Sequence, residues 1–455
     1  MTRHVPALVI GGGISGLVCA YTLRKAGIDA ELIEASVRPG GVIQSFTRDG
    51  FLLELGPQSF SGTAALRQLC DELGISDQVV QAPSRAPRYV LVAGRLQPVP
   101  LTPPAFFTSG LIGGATKLAL LRDIFGKTMP PEPDESVADF VRRKFSVQLL
   151  DRLVGPFVSG VYAGDPERLS VRSAFPQLYE AEKTSGSIVR GMLRLAKSRK
   201  GPRENPTLQT FRDGNETFVT ALSRKIGSAM RTKVRVIGIS RRENGVFDVR
   251  LDGEGDSDPL STGALIFATP TDVTGNLLGQ LHAAFEPPLA TVEYASVAVV
   301  SLGYRKSDLG HALDGFGFLV PRSAGLRVLG TVWNSSLFSG RAPQGHALLT
   351  SFVGGTTDPG AAMLKPEELA TLVHRETAPL LSIKSEPIFS NVKIWLRALP
   401  QYNLGHADRL AAVSRLLQNF PGIWLAGNYL RGPSVGSCVE RAVTVAEEVR
   451  QGLNS

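Results

Sequence analysis

A short glycine-rich turn between an apolar run and a helical pattern constrains this chain more than any other feature. Residues 5–10 are apolar, residues 11–16 include four glycines, and a helical pattern runs from Leu17 to Ala26. A second apolar run, residues 30–33, is closed by Glu34. Strand, turn, helix and strand in this order predict one βαβ unit at the start of the chain.

The glycine spacing in this turn matches the fingerprint of a dinucleotide-binding motif. Gly11 permits the tight turn, Gly13 lets backbone approach a pyrophosphate, and Gly16 lets the helix pack on the strand. The phosphates would then face N–H groups at the helix N-terminus. Glu34 follows Gly16 by 18 residues, where a carboxylate can accept hydrogen bonds from ribose hydroxyls. The sequence therefore predicts a dinucleotide cofactor and leaves open which one.

Beyond this unit, the chain changes character twice. Helical patterns at 114–125, 136–154 and 186–199 dominate residues 100–204, and strand-like segments return from about residue 208. The predicted strands lie at 234–239, 247–251, 264–270, 294–304, 316–320, 327–333, 347–353 and 422–428, and a last helix is predicted at 436–450.

Charge and cysteine content exclude several classes of function. The net charge is +8, yet residues 181–250 hold 16 lysines and arginines against 6 acids, and residues 251–300 hold 7 acids and no basic residue. Because no nucleic-acid-binding motif accompanies the basic region, no nucleic-acid partner is expected. Three cysteines far apart indicate neither disulfides nor a metal site, so we expect a reducing, cytoplasmic location.

The segment after Glu34 makes the cofactor prediction specific. Residues 34–43, with Arg38 and the glycine pair at 40 and 41, resemble the FAD-binding start of the flavin amine oxidase superfamily. Within it, motifs at 53–60, 159–166, 399–406 and 425–432 resemble the oxygen-dependent protoporphyrinogen oxidase family, in matching order over essentially the whole chain. Proline and glycine residues interrupt the 21 uncharged residues after Arg95, so this stretch does not predict a membrane-spanning helix.

The resemblance implies which residues hold FAD. Gly56 to Ser59 would run beside the isoalloxazine, and Val236 would meet adenine through its backbone. Pro433 stands where the family often has valine. Because proline lacks a backbone N–H, this position cannot donate a backbone hydrogen bond to the cofactor. The full predicted set is Gly11, Gly12, Gly13, Ile14, Ser15, Gly16, Glu34, Ala35, Arg38, Gly41, Val42, Gly56, Pro57, Gln58, Ser59, Val236, Trp395, Gly427, Asn428, Pro433, Ser434 and Val435.

The resemblance also implies a substrate slot for a porphyrinogen, an apolar macrocycle with propionate side chains. Arg88 matches the family arginine that pairs with a propionate, for which a guanidinium is well suited. Gly160 would let backbone approach the ring N–H groups, and Leu319, Val332 and Phe352 would sandwich the pyrrole rings. Each of these apolar residues is equally well explained as sheet core. No catalytic side chain and no metal site are predicted.

The implied activity is oxidation of protoporphyrinogen IX to protoporphyrin IX, with molecular oxygen as acceptor and peroxide as product. The alternatives are coproporphyrinogen III oxidation by the same fold, amine oxidation or carotenoid desaturation, and a non-catalytic binding protein like the Rab GDP-dissociation inhibitors. Peripheral membrane association is expected from the basic stretch between Lys183 and Arg203. A homodimer is an open alternative.

The predicted fold class is α/β, with a discontinuous Rossmann-like FAD-binding domain, an α+β substrate domain and an inserted helical, membrane-associated domain. The expected FAD-binding parts are residues 1–85, 205–272 and 400–455; the substrate parts are 86–98 and 273–399, and the helical insert is 99–204.

Overall fold

Two seven-stranded sheets carry the fold, and a group of helices lies beside them. This architecture is seen in a computed structural model that describes residues 3–125, 132–198, 207–253 and 259–454. The α/β class predicted from the sequence is confirmed. In the described residues, no helix combines the length and the apolar character that crossing a bilayer requires.

The strands are short except in the second sheet, where two reach 12 residues. In chain order they are β1 Arg3–Ile10, β2 Ala30–Ile33, β3 Ser45–Arg48, β4 Phe51–Glu54, β5 Phe60–Ser61, β6 Val79–Gln81, β7 Arg88–Val92, β8 Arg95–Pro98, β9 Leu208–Phe211, β10 Met230–Arg231, β11 Val234–Arg241, β12 Phe247–Gly253, β13 Leu260–Phe267, β14 Tyr294–Arg305, β15 Gly317–Leu319, β16 Val328–Val332, β17 His346–Gly354, β18 Phe389–Pro400 and β19 Ile423–Leu425.

The helices are concentrated in the middle and at the end of the chain. They are α1 Ile14–Lys25, α2 Ala64–Leu73, α3 Pro103–Thr108, α4 Gly114–Phe125, α5 Val137–Lys144, α6 Val147–Leu149, α7 Gly155–Tyr162, α8 Val171–Ala174, α9 Pro176–Ser185, α10 Ile188–Ser198, α11 Glu216–Ile226, α12 Thr271–Gly279, α13 Glu286–Ala290, α14 Asn334–Leu337, α15 Pro366–Leu381, α16 His406–Leu417 and α17 Val435–Asn454.

The first sheet takes its strands from three distant parts of the chain. Its order is β10-β2-β1-β13-β12-β11, and β19 pairs with β13. Strands β2, β1, β13 and β19 are parallel, as the predicted βαβ unit requires. One face is covered by α1, α11 and α17, whose side chains form a core with Leu17, Leu222 and Val445. The start, middle and end of the chain thus share one sheet.

The second sheet has the order β18-β14-β17-β16-β15-β7-β8. Its central pairs are antiparallel, as predicted, but β15 and β7 pair in parallel because β7 joins from much earlier in the sequence. β18 lies outside the strand predictions, although nine of its residues pair with β14. Its sequence mixes lysine, arginine and asparagine with apolar residues, so the apolar run that would indicate a strand is missing.

The helical segment differs from its prediction in two places. The helix expected at 136–154 breaks at Phe145 and continues through a π-helical turn, Leu150–Val154, into α7. The helix expected at 186–199 is α10, which begins at Ile188; residue 199 lies outside the described residues. Helix α9, just before it, was not predicted. Pro176 opens α9 at a position where proline favours helix starts, a signal that the apolar spacing alone does not carry.

A buried ion pair joins β4 to the connection between α14 and β17. The Arg341 guanidinium donates to Glu54 Oε1 at 2.8 Å, and each side chain is only 2% exposed. The same carboxylate accepts from the Ser45 hydroxyl at 2.7 Å and from the Asn215 N–H at 2.9 Å, and Arg341 also bonds Thr210. Burial raises the pKa of Glu54, and these donors oppose that rise. Four chain segments therefore depend on one pair of charges.

Arg341→Leu should destabilise the fold strongly, since it leaves the Glu54 carboxylate buried without its cation. The expected loss is about 3–5 kcal/mol in free energy of unfolding, measured by urea denaturation with tryptophan fluorescence. The double change Glu54→Leu with Arg341→Leu should recover part of this loss. Arg450→Leu, which removes an exposed ion pair with Glu447, is the control and should leave stability unchanged. Equal stability of Arg341→Leu and wild type would contradict the role given to this pair.

Candidate functional site

A large cavity runs between the two sheets and the helical segment. Its volume is about 2020 Å³. Ordinary small-molecule pockets hold roughly 300–1,000 Å³, so this one has room for two ligands or for one very long one. At one end it is lined by the glycine turn, and at the other by the second sheet and α7. Most of the residues predicted to bind cofactor and substrate therefore line the same space.

The glycine turn forms a cradle at the start of α1. The N-cap of this helix is Gly13, and no side chain caps the first N–H groups. A Cβ built on Gly13 would meet nothing within 4 Å, whereas one on Gly16 would lie 1.9 Å from the Gly11 carbonyl oxygen. Gly16 thus serves helix packing, as predicted, and Gly13 leaves open space above an uncapped helix N-terminus. Such a terminus favours an anion.

Glu34 sits at the edge of this cradle. Its Oε2 accepts from the Gly12 N–H at 2.6 Å, and its Oε1 accepts from the Ser36 N–H at 2.7 Å. Both Glu34 and its neighbour Ala35 line the cavity. The carboxylate is therefore fixed by backbone donors and still presented to a ligand, which suits a hydroxyl partner.

Three residues of the predicted set do not line the cavity: Gly12, Gly16 and Arg38. The Arg38 guanidinium donates to the carbonyl oxygens of Pro39 and Gly41 at 2.8 Å. It also bonds the Ile43 carbonyl oxygen at 3.2 Å. Its role in this structure is to hold the loop that carries Gly41 and Val42 against the cavity. The sequence pattern does not distinguish such support from direct contact with a ligand.

The segment from Gly56 to Ser59 forms one wall. Gln58 donates to the Glu54 and Gly56 carbonyl oxygens at 2.9 Å and accepts from Asn334 Nδ2 at 2.7 Å. A Cβ on Gly56 would lie 2.0 Å from the Val42 carbonyl oxygen, so the two loops touch through backbone. The Gln58 amide therefore ties this wall both to its own turn and to α14.

The second sheet presents one face to the cavity. Strand register places the predicted slot residues on that face, because paired residues share a side and alternate residues repeat it. The pairs are Arg88 with Gly317, Gly317 with Val332, Leu319 with Gly330, Gly330 with Phe352, and Val297 with Trp395. All five predicted side chains line the cavity. Trp395 is held by its Nε1 donating to the Leu55 carbonyl oxygen at 2.5 Å.

Helix α7 closes the slot opposite this sheet face. A Cβ on Gly160 would lie 2.4 Å from Leu319 Cδ2, so a larger residue here would require the Leu319 side chain to move. Phe157 and Tyr162 of the same helix also line the cavity. Burial raises the pKa of Tyr162 to about 12, and its hydroxyl donates to the Ala174 carbonyl oxygen at 2.9 Å. It therefore stays protonated near neutral pH.

The predicted C-terminal loop lies against the glycine cradle. Tyr402 donates to the Asn428 carbonyl oxygen at 2.5 Å and accepts from the Gly432 N–H at 2.7 Å. Ser434 accepts from the Ser437 N–H at 3.1 Å, so it caps the start of α17. Burial raises the pKa of Cys438, which also lines the cavity, to about 11. A neutral thiol here offers no nucleophile.

Several charged residues at the cavity were missed by sequence reasoning. Arg152 lines it from the π-helical turn, and Arg397 lines it while pairing with Asp272 at 2.7 Å. Arg235 alternates with the buried Val234 and Val236 on β11, and this alternation is the sequence signal that could have identified it as a residue of the opposite face. Arg152 lies within an apolar helical pattern, in which an arginine is usually taken to lie on the solvent-exposed face of the helix.

The residues present fit a dinucleotide. The uncapped N-terminus of α1, the open space at Gly13 and the fixed Glu34 carboxylate form the arrangement that a pyrophosphate and a ribose require. Gly40 donates to the Gly12 carbonyl oxygen at 2.7 Å, which joins the second loop to the first. The cradle is therefore a built feature, and the remaining cavity is left for a second molecule.

Comparisons with known proteins agree with this geometry. The chain is 34% identical to "Protoporphyrinogen oxidase, chloroplastic" of Nicotiana tabacum, covering 98% of this chain and 85% of that protein. It is 27% identical to "Coproporphyrinogen III oxidase" of Bacillus subtilis (strain 168), covering 96% of each. A crystal structure of a provisionally named protoporphyrinogen oxidase from Exiguobacterium sp. 255-15 has a TM-score of 0.81 and 25% identity, covering both chains completely.

The family described as "Flavin containing amine oxidoreductase" matches residues 14–450, which is nearly the whole chain. This match begins at the first residue of α1 and ends within α17, so it includes both ends of the first sheet's helical layer. The predicted resemblance is confirmed at this level. The chain therefore belongs to the flavin-containing amine oxidoreductase family and is an FAD-dependent enzyme.

Proposed function

We propose that this enzyme oxidises protoporphyrinogen IX to protoporphyrin IX in tetrapyrrole biosynthesis, with molecular oxygen as electron acceptor. The observation that carries the proposal is one continuous cavity with a dinucleotide cradle at one end and an apolar slot with arginine at the other. The Nicotiana tabacum relative, aligned over nearly the whole chain, bears the name of this activity. A binding protein without cofactor is disfavoured, since the chain belongs to a flavin-containing family.

In this proposal the predicted cofactor residues hold FAD with their roles divided along the cavity. The N–H groups at the start of α1 would face the pyrophosphate, and Glu34 would accept from ribose hydroxyls. Val236 would meet adenine, and Gly56 to Ser59 with Trp395 would lie along the ring system. Bound FAD would supply two-electron oxidation three times for each macrocycle, and three molecules of oxygen would take up the electrons as hydrogen peroxide.

The protein's own part in the reaction is to position the substrate and to exclude competing reactions. Leu319, Val332 and Phe352 form an apolar face that would hold the macrocycle by its rings, while Arg88 would bind a propionate at the rim. Tyr162 and Cys438 carry raised pKa values, so neither is a base near neutral pH. No proton-accepting side chain is assigned, and pyrrole N–H protons would leave to water.

Peripheral membrane association is part of the proposal. Helices α4 and α10 expose apolar side chains, among them Leu121 at 41% and Leu193 at 57%. Arg194 and Lys197 lie on the same helix as Leu193, and the basic stretch continues to Arg203, whose last residues, 199–203, lie outside the described residues. Apolar side chains flanked by cations suit an anionic lipid surface.

An aerobic assay with protoporphyrinogen IX and coproporphyrinogen III in parallel tests the substrate. Porphyrin fluorescence should rise faster with protoporphyrinogen IX, because a slot with apolar walls offers few partners for four propionates. An equal or greater kcat/KM for coproporphyrinogen III would replace the proposed substrate with the alternative that the Bacillus subtilis relative's name suggests. Inactivity on both, in protein that contains FAD, would refute the proposed function.

Gly13→Ala should weaken FAD binding without unfolding the protein. The backbone at Gly13 has φ −66° and ψ 174°, which alanine adopts freely, and the added Cβ meets no protein atom within 4 Å. Only a bound group above the turn would meet the methyl, so Kd for FAD should rise roughly five- to hundredfold, measured by fluorescence titration of apoprotein. Gly360→Ala, equally free of contacts but outside the cavity, is the control. Unchanged affinity would exclude Gly13 from the FAD site.

Vesicle flotation tests the membrane proposal. Protein should float with phosphatidylserine vesicles at low salt and dissociate as salt rises, since the attraction is partly electrostatic. Leu121→Glu with Leu193→Glu should abolish flotation. Met363→Glu, at a residue 66% exposed outside the helical segment, should have no effect. Absence of flotation at low salt would leave these helices as an ordinary solvated surface.

A further inference from the structure

Two arginines from different elements line the slot end of the cavity. Arg88 begins β7, and Arg152 lies in the π-helical turn Leu150–Val154. The acidic residues described around the cavity are Glu34, Asp272 and Glu286, all on elements that pack with the first sheet. Among the described residues, no carboxylate lines the part of the cavity formed by β7 and the helices that follow it, where the charged lining residues are arginines.

Packing brings the two arginines to one wall. Leu153, adjacent to Arg152, packs with Val90 and Leu111 in a small apolar cluster. Val90 lies two residues after Arg88 and therefore on the same side of β7. Arg152 Nη1 donates to the Leu111 carbonyl oxygen at 3.0 Å, which holds its guanidinium beside that cluster.

Both guanidinium groups keep donors for a ligand. Within the described ranges, neither Arg88 nor Arg152 forms an ion pair with a carboxylate. Arg152 is half-buried and uses one of its five N–H donors on Leu111, and Arg88 lies 5.6 Å above the Phe316 ring. A half-buried cation on a cavity wall with no ion-pair partner is available to a carboxylate, and π-helical turns are frequent at functional sites.

We propose that Arg152 is a second carboxylate-binding residue, and that Arg88 and Arg152 together hold the two acid side chains of a dicarboxylate macrocycle. This inference rests on the proposed function and extends it from the ring system to the number of carboxylates. A tetracarboxylate would press two further anions against Phe157, Leu319 and Phe352, where burial without a partner is costly. The arginine pair thus makes the site selective for two acid groups.

The test compares an acid with its ester on protein that retains FAD. Protoporphyrin IX and its dimethyl ester have the same ring, and only the acid offers charges. Arg152→Gln should raise the Kd of protoporphyrin IX roughly tenfold, measured by quenching of tryptophan fluorescence, and leave the Kd of the ester unchanged. In turnover, KM for protoporphyrinogen IX should rise more than kcat falls. Arg88→Gln should behave alike, and the double variant should bind acid and ester equally.

Arg95→Gln, on the exposed β7–β8 hairpin outside the cavity, is the matched control. Arg152→Lys keeps the charge and the stem, so it should recover part of the affinity for the acid if charge matters. Equal losses for acid and ester, or none for either, would overturn the role of Arg152 while leaving the proposed function intact. Failure of wild-type protein to oxidise protoporphyrinogen IX would instead refute the proposed function itself.

Discussion

The buried pair of Arg341 and Glu54 is the interaction on which the rest of the structure depends. Glu54 ends β4 just before the wall formed by Gly56 to Ser59, and Arg341 belongs to the second sheet's connections. Asn215 and Thr210, from the middle of the chain, complete the network. Because all of its members are buried, any shift of β4 against the connection before β17 would leave a charge in the interior without its partner.

Each wall of the cavity is fixed by backbone before any ligand enters. Arg38 holds its loop by three carbonyl oxygens, Gln58 by two, and Tyr402 holds the last loop through Asn428 and Gly432. Arg38 and Gln58, which the sequence pattern associates with FAD, thus hold in place the loops that line the cavity. Binding to such preformed walls costs little conformational entropy.

Residue spacing predicted those elements whose conformation depends only on residues close in sequence. The glycine turn, its helix and most strands follow from spacing that needs no knowledge of the rest of the chain. Arg341 was not identified, because its partner Glu54 lies 287 positions away and its surroundings read as an exposed loop. Arg152 was not identified, because the π-helical turn Leu150–Val154 places its side chain on a different face from the one that a regular α-helix would give. Long-range pairing and local irregularity are the two features that residue spacing does not encode.

The first sheet's use of three distant chain segments has a consequence for biosynthesis. β19 and α17, which complete the sheet and its helical cover, are synthesised after β1 and α1. Strands β2, β1 and β13 can pair before β19 exists, but β13 keeps part of one edge unpaired, and α1 lacks the cover that α17 provides, until this last segment has been made. A product that stops before β19 lacks β19, α17 and the cavity-lining loop between them, so cofactor capture also requires that this segment is present.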